Sequence, residues 1–234
     1  MNKLNYKLNI IIFFFYIIFV LVAPVNSHTN HYKNLKKIEM EIFKDDKLIG
    51  YNYYFFTKKD GLTIIKNQLN FKVSLLGIDV LNIEGYGEEK YKNNKLISYE
   101  SKTLQNDKKK FVNLLYLPET DKFNIKGSSY SGLASSNNIV GNWWNHQILQ
   151  ADSQISPISG SIKEQVVIFL GRKKIKLYGN IIDTDHFKLT SKDMTTPKDK
   201  RLNFDIWYDR KNAMIVKVAY KRMGNWEYRL KNYD

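Results

Sequence analysis

The sequence predicts an all-β protein: a curved antiparallel meander forming a half-barrel or open barrel, with one short helix across its open side. Two observations support this fold class. From Leu35 to the end of the 234-residue chain, apolar and polar residues alternate with a period of two, as in strands with one buried face. Only one segment has helical spacing, and a single helix cannot cover so large an apolar face. The sheet must therefore curl on itself or hold something apolar.

The first half of the chain has the pattern of consecutive hairpins. Ile38, Met40 and Ile42 alternate with charged residues, and a polar turn follows. Asp60-Gly61 is a hairpin signal, because both residue types accept the positive φ angles of tight turns. Polar runs at 92–95 and 106–108 separate further β-prone segments in the same way.

The second half resumes this pattern after a break. Between the halves, residues 128–138 are rich in Gly, Ser and Asn, which predicts a loop. Strand-like runs at 164–170 and 173–178 then flank Gly171, and the alternation continues through a turn at 209–212 to the end of the chain. The whole pattern predicts ten or more strands.

The one helical pattern lies in the middle of the chain. Val140, Trp144, Ile148 and Ala151 recur at helical spacing, and an asparagine at 137 or 138 can cap the predicted helix. Because Trp143 precedes Trp144, the two indoles of a helix cannot both face inward. The segment is thus either a plug for the open side of the sheet or a gate to a ligand pocket.

The first 27 residues have the pattern of a cleaved secretory signal peptide. Two lysines precede an apolar run at 10–23, which suits a signal peptide better than a bilayer span of about 20 residues. Cleavage is expected near Ser27, and an uncleaved anchor is the alternative. Residues 28–34 are expected to form a disordered tail, and 35–234 a single domain that is periplasmic or secreted.

Composition excludes several classes of function. The chain has no cysteine, which excludes disulfides, a thiol nucleophile and thiolate metal sites. Its net charge of +14 favours contact with an anionic surface, such as lipid headgroups or an envelope polyanion. Only five of the 37 basic residues are arginine, the residue on which nucleic-acid recognition depends most, so no nucleic-acid partner is expected.

Aromatic residues are the candidates for binding a ligand. The residues predicted to contact it are Tyr51, Tyr53, Phe55, Trp143, Trp144 and Trp207. Large aromatic side chains suit a lipid or another apolar envelope molecule, because they bury large apolar surfaces and keep a polar group at the rim. No cofactor is expected, and the sequence leaves the oligomeric state open.

The polar candidates for chemistry are weaker. Asp183, Asp185 and His186 form a possible metal cluster. Alternation along a strand places His186 opposite the two aspartates, so a polar strand edge is the favoured interpretation. His146 follows the tryptophans, but no nucleophile or paired carboxylate stands at a recognisable spacing. We therefore predict no catalytic residue.

Short motifs along the mature chain resemble a known family. They are Leu48-Ile49-Gly50, Trp143-Trp144-Asn145, Gly171 and Phe204-Asp205-Ile206-Trp207-Tyr208-Asp209. Together they resemble uncharacterised exported proteobacterial proteins that carry domain of unknown function 6134. The resemblance implies a periplasmic β-domain with no assigned activity. The strand pattern is also similar to the curved half-barrels of lipoprotein carriers, which is an analogy of fold alone.

Three functions follow, in decreasing order of support. The first is a binding module that holds a lipid or other apolar envelope molecule inside the curled sheet. The second is a structural or interaction protein, filled by its own aromatic residues, whose basic face docks to an anionic membrane or cell-wall polymer. The third is a hydrolytic enzyme, which no acid–base arrangement in the sequence supports.

Overall fold

A computed structural model describes Tyr32 and residues 34–234. Within 34–234 the chain is almost entirely strand and turn, and its helical elements are two 3₁₀ turns at His146–Leu149 and Lys198–Lys200. The predicted all-β class is therefore confirmed. The predicted signal peptide at 1–27 lies outside the described residues.

Fifteen strands form one sheet. The first eight are β1 (Lys37–Lys44), β2 (Lys47–Lys59), β3 (Leu62–Leu75), β4 (Ile78–Lys92), β5 (Lys95–Gln105), β6 (Lys108–Leu117), β7 (Lys122–Gly127) and β8 (Ser131–Ser135). The others are β9 (Ile139–Val140), β10 (Ser153–Ile155), β11 (Ile162–Leu177), β12 (Asn180–Ser191), β13 (Asn203–Asp209), β14 (Met214–Lys221) and β15 (Asn225–Tyr233).

The strands follow a simple order. Across the sheet it is β8-β7-β6-β5-β4-β3-β2-β1-β15-β14-β13-β12-β11-β10-β9, so β1 and β15 pair in the middle and β8 and β9 are the edges. All neighbours are antiparallel except β9 and β10, which are parallel. The antiparallel meander is thus confirmed, and the sheet does not close into a barrel.

Strands far apart in this order nevertheless meet. Ser101 on β5 and Phe204 on β13 line the same cavity, although seven strand spacings, about 34 Å in a flat sheet, separate their strands. The sheet must therefore curl, with an inner face that holds the core. Period-two burial agrees, since Ile38, Met40 and Ile42 on β1 are all buried.

The hairpin turns fall on two opposite edges of the sheet, because successive antiparallel strands reverse direction. What we call the upper edge carries the turns at Asp45-Asp46, Leu76-Gly77 and 222–224. The lower edge carries the turns at Asp60-Gly61, Asn93-Asn94 and Tyr178-Gly179. The Asp60-Gly61 hairpin predicted from the sequence is confirmed, with positive φ at both residues.

The segment with helical spacing is not an α-helix. Val140 ends strand β9, a turn follows at 142–145, and only His146–Leu149 is helical, as one 3₁₀ turn. The Asn145 side chain accepts a hydrogen bond from the backbone N–H of Gln147 (3.0 Å) and so begins this turn. Gly and Asn in the segment favour turns over helix interiors, which explains why the predicted helix does not form.

Three smaller expectations also differ from the structure. Gly171 is a β-bulge within the continuous strand β11, with φ of 112°, and not a turn between two strands. Part of the predicted loop at 128–138 is strand β8. Tyr32, expected in a disordered tail, is buried in the main core cluster.

Candidate functional site

A cleft of about 270 Å³ lies between the inner face of the sheet and the crossing segment 141–158. Its walls come from β2–β5 on one side and from β11 and β13–β15 on the other. Among the residues that the structure describes, Lys163 and Arg222 line it and no carboxylate does. The cleft is therefore an interior site of positive charge.

Aromatic rings form one wall of the cleft. The Trp143 ring meets Phe204 edge-on at a centroid distance of 5.1 Å and lies 6.2 Å from the ring of Tyr228. Tyr220 packs against Phe204 at 5.3 Å. This wall offers a rigid apolar surface to whatever enters.

The opposite wall is polar and is shaped by a glycine. Asn52 donates to the Tyr54 hydroxyl (2.7 Å), which also accepts a hydrogen bond from the backbone N–H of Trp143 (3.2 Å). Gly85 leaves room for the cleft, because a Cβ there would lie 3.2 Å from the Thr103 hydroxyl. This wall is held by hydrogen bonds that bind the crossing segment to β2.

Lys163 and Arg222 line the upper end of the cleft, and Lys200 lies next to Lys163. Lys163 donates from its ammonium to the Lys200 carbonyl at 2.5 Å. Burial, together with the charges of Arg222 and Lys200, lowers the pKa of Lys163. Within the described part of the chain, none of these three side chains forms an ion pair. Like charges held together without a counter-ion favour the binding of an anion.

Two tyrosine hydroxyls in the cleft also have open hydrogen-bonding capacity. Those of Tyr220 and Tyr228 form no hydrogen bond with any residue that the structure describes. Burial alone raises the pKa of Tyr228 to about 12. Burial is likewise the main cause of the raised pKa of Tyr220, and the Arg222 charge opposes it. Both tyrosines are half-buried and line the cleft, so their hydroxyls can form hydrogen bonds with a ligand there.

The interior next to the cleft is closed around Glu89. This carboxylate is 2% exposed and accepts hydrogen bonds from Asn142 (2.6 Å), the Trp144 indole (2.8 Å) and the Tyr91 hydroxyl (2.6 Å). Burial raises its pKa, and the three donors oppose that rise. Glu89 therefore connects β4 to the tryptophan segment.

Aromatic rings fill the rest of this closed end. Trp144 makes edge contacts with Tyr32 (5.5 Å), Phe56 (5.5 Å) and Tyr91 (5.9 Å). The Tyr32 hydroxyl pairs with His146 Nδ1, and burial raises the pKa of Tyr32 strongly. These contacts place Trp144 in the core, where it is 2% exposed.

One family model matches most of this chain. Residues 40–231 match the model described as Domain of unknown function (DUF6134). The chain belongs to the DUF6134 family. The resemblance to domain of unknown function 6134 is confirmed, and the match spans the residues of the cleft and those of the closed end except Tyr32.

Other comparisons add little to the DUF6134 match. The sequence matches no curated protein. Among solved structures, this DUF6134 protein is similar to a DUF1329 family protein from Desulfovibrio piger, with 12% identity over 91% of this chain and 93% of that chain, and a TM-score of 0.22. A likeness of that size carries no argument about function.

Four predicted ligand residues lie on the outer face of the DUF6134 sheet, away from the cleft. Tyr51, Tyr53 and Phe55 alternate along β2 with the inward residues that line the cleft. Tyr51 stacks on Tyr53 at 4.4 Å, and the Lys37 ammonium lies over the Tyr53 and Phe55 rings. Trp207 stacks on His186 at 4.6 Å on the outside of β13.

Of the predicted tryptophans, the structure brings only Trp143 to the cleft. Trp144 lies next to it in sequence but in the closed end. Trp144 therefore has the position expected of a plug, and Trp143 has the position expected of a pocket wall.

The predicted metal candidates do not converge. Asp185 contacts Arg210 (3.2 Å) and Arg172 (3.8 Å), while Asp183 faces solvent near Lys174. His186 pairs instead with Asp205 at 3.0 Å. Across Tyr32 and residues 34–234, no group of three or more His, Asp or Glu side chains is placed to hold a metal.

Proposed function

We propose that this protein binds one small anionic amphiphile, such as a single-chain fatty acid, in the cleft. The observation that carries the proposal is the set of open polar groups inside it: cations without counter-ions beside tyrosine hydroxyls without partners. A ligand that forms hydrogen bonds and an ion pair with these groups gains affinity, because hydrogen bonds to charged groups are stronger than those between neutral groups.

Each part of the ligand has a matching wall. Lys163 and Arg222 suit an anionic headgroup, and an arginine can hold a carboxylate through two parallel hydrogen bonds. Trp143 and Phe204 suit the apolar chain. The charges that line the cleft favour entry of an anion, because its charged side chains among the described residues are Lys163 and Arg222.

The size of the cleft limits the ligand. A volume of about 270 Å³ is just below the roughly 300–1,000 Å³ of pockets for drug-sized ligands. A medium-chain amphiphile therefore fits better than a two-chain phospholipid. Because the sequence predicts a cleaved signal peptide, we further propose that the protein binds this ligand in the periplasm or outside the cell.

The first test removes the open hydroxyls. Tyr220→Phe and Tyr228→Phe should each weaken binding of a dansyl-labelled medium-chain fatty acid by about tenfold, the usual effect of losing a hydrogen bond to a charged group. The melting temperature should not fall, because neither hydroxyl has a hydrogen-bond partner among the described residues. Fluorescence titration and thermal unfolding of the delipidated protein measure the two effects.

Tyr54→Phe is the matched control. Its hydroxyl bonds to Asn52 and Trp143, so its loss should cost about 1–2 kcal/mol of stability and change affinity less. Wild-type protein that does not bind the dansyl probe, and carries no bound mass in native mass spectrometry when purified from its cells, would refute the proposal. Unchanged affinity in both Tyr→Phe variants would refute the assignment of the headgroup site.

A further inference from the structure

Two hairpin tips place large apolar residues in a backbone conformation that such residues avoid. Eleven non-glycine residues among those described have positive φ, and seven of them are Asp or Asn, which tolerate it. The exceptions are Leu76, Tyr178, Ala213 and Met223. A bulky residue in the left-handed region costs free energy, so each exception requires an explanation.

Packing within the chain explains two of the four. The Tyr178 hydroxyl donates to Glu41 (2.6 Å), and the Lys231 ammonium lies over its ring. Ala213 is buried. Leu76 and Met223, in contrast, are 95% and 93% exposed, so no contact within the described chain offsets their backbone strain.

Both exposed tips lie at the upper edge. Leu76 occupies the β3–β4 turn, with Ile78 70% exposed beside it, and Met223 occupies the β14–β15 turn. The other two-residue turns between antiparallel strands use Asp-Asp, Asp-Gly, Asn-Asn or Asn-Asp, and the remaining one is Tyr178-Gly179, whose tyrosine is held by the contacts described above. We call Leu76, Ile78 and Met223 the apolar tips.

The surroundings of Met223 are basic. The loop at 191–202 and the turn at 221–225 carry six cations against two acids. Acids nearer the tips are neutralised within the chain: Asp45 pairs with Lys44, Asp46 with Arg229, and Asp79 with Lys72. The charge left over at this edge is therefore positive.

We propose that the apolar tips insert into the surface of an anionic lipid bilayer. Narrow tips that each present one or two aliphatic side chains suit the boundary between headgroups and acyl chains, and the adjacent cations suit anionic headgroups. The upper edge also holds the cationic end of the cleft, at Lys163 and Arg222. Docking uses surface residues and does not depend on the proposed cleft ligand.

The test is co-sedimentation with lipid vesicles. Wild-type protein without ligand should bind vesicles of phosphatidylglycerol and phosphatidylcholine more strongly than vesicles of phosphatidylcholine alone. Leu76→Asn should lower the bound-to-free ratio at least about tenfold, the factor that corresponds to 1.4 kcal/mol of lost apolar burial. This variant creates Asn-Gly, the preferred pair for such a turn, so its melting temperature should be unchanged or higher.

Ile181→Asn is the matched control, because Ile181 is 72% exposed near the lower edge. It should bind vesicles as the wild type does, whereas Met223→Gln should bind less. Equal vesicle binding by wild type and Leu76→Asn, or no binding by the wild type, would overturn the proposal. These outcomes do not bear on the cleft proposal, because binding of the dansyl fatty acid is measured without vesicles.

Discussion

The cleft and the closed end are neighbouring parts of one interior, but they differ in how far their polar side chains are hydrogen-bonded within the chain. In the closed end, Glu89 meets three donors and the Tyr32 hydroxyl meets His146. In the cleft, the hydroxyls of Tyr220 and Tyr228 find no partner among the described residues. The adjacent tryptophans separate the two regions, with Trp144 in the closed end and Trp143 on the cleft wall.

The difference teaches that aromatic content alone does not distinguish a filled interior from a binding site. Both regions are rich in Tyr, Phe and Trp. What distinguishes them is whether the polar side chains bond to one another, as they do around Glu89, or keep hydrogen-bonding capacity for a ligand, as Tyr220 and Tyr228 do. The anionic group of the proposed ligand would be a hydrogen-bond acceptor in the cleft, as the Glu89 carboxylate is in the closed end.

The largest expected effect is the loss of Trp144. Trp144→Ala should lower the free energy of unfolding by about 3–5 kcal/mol, the range for a buried large aromatic residue. Trp143→Ala should cost less, about 2 kcal/mol, because its ring already borders an open cleft. Denaturant unfolding of both variants compares the costs, and dye binding should change more for Trp143→Ala. Equal costs would remove the distinction between the two regions.

The next effect concerns the acceptor of the closed end. Glu89→Leu leaves three buried donors without an acceptor, so we expect a loss of about 2–4 kcal/mol after the gain from removing a desolvated carboxyl. Glu89→Gln keeps an amide oxygen for Asn142 and Trp144 and should cost less. Chemical denaturation ranks the two variants, and Glu89→Leu as stable as the wild type would show that these bonds contribute nothing net.

The smallest effect is a pH dependence in the cleft. Because burial lowers the pKa of Lys163 below 10.5, its ammonium loses its proton at a lower pH than an ordinary lysine does. Affinity for the dansyl fatty acid should therefore fall as pH rises through that lowered pKa. Lys163→Arg stays charged and should bind without this fall. Identical pH profiles for both proteins would exclude Lys163 from the headgroup site.

The sheet was predictable from the sequence because its signal is local. Alternation marks one face of each strand, and Asp60-Gly61 marks a turn by its own chemistry. Of the four residues at helical spacing, Val140, Trp144 and Ile148 are buried, whereas Ala151 is half-buried. The backbone there was wrongly predicted, because periodicity outweighed the turn preference of Gly141, Asn142 and Asn145.

The site was less predictable, since it depends on which strands meet. Tyr51, Tyr53 and Phe55 are as aromatic as the inward Tyr54, and the alternation does not say which face is inside when both carry rings. Lys163 and Arg222 were missed because they are two cations among 37. A usable signal was present for Glu89, an acid whose position at every second residue puts it on the same face of β4 as the inward residues Gly85, Gly87 and Tyr91.

The pairing of β1 with β15 in the middle of the sheet has a consequence for folding. Nearly every other strand contacts its neighbour in sequence, so most contacts are local and only this pair closes a loop of almost the whole domain. Loop closure over such a distance is entropically costly and slow relative to hairpin formation. The backbone N–H of Lys36 already donates to the Asp234 carbonyl (2.6 Å). In a circular permutant that joins Asp234 to Lys36 and opens the chain between β8 and β9, β15 and β1 would be consecutive strands. Their pairing would then be a local hairpin and would no longer require the slow closure of a domain-sized loop.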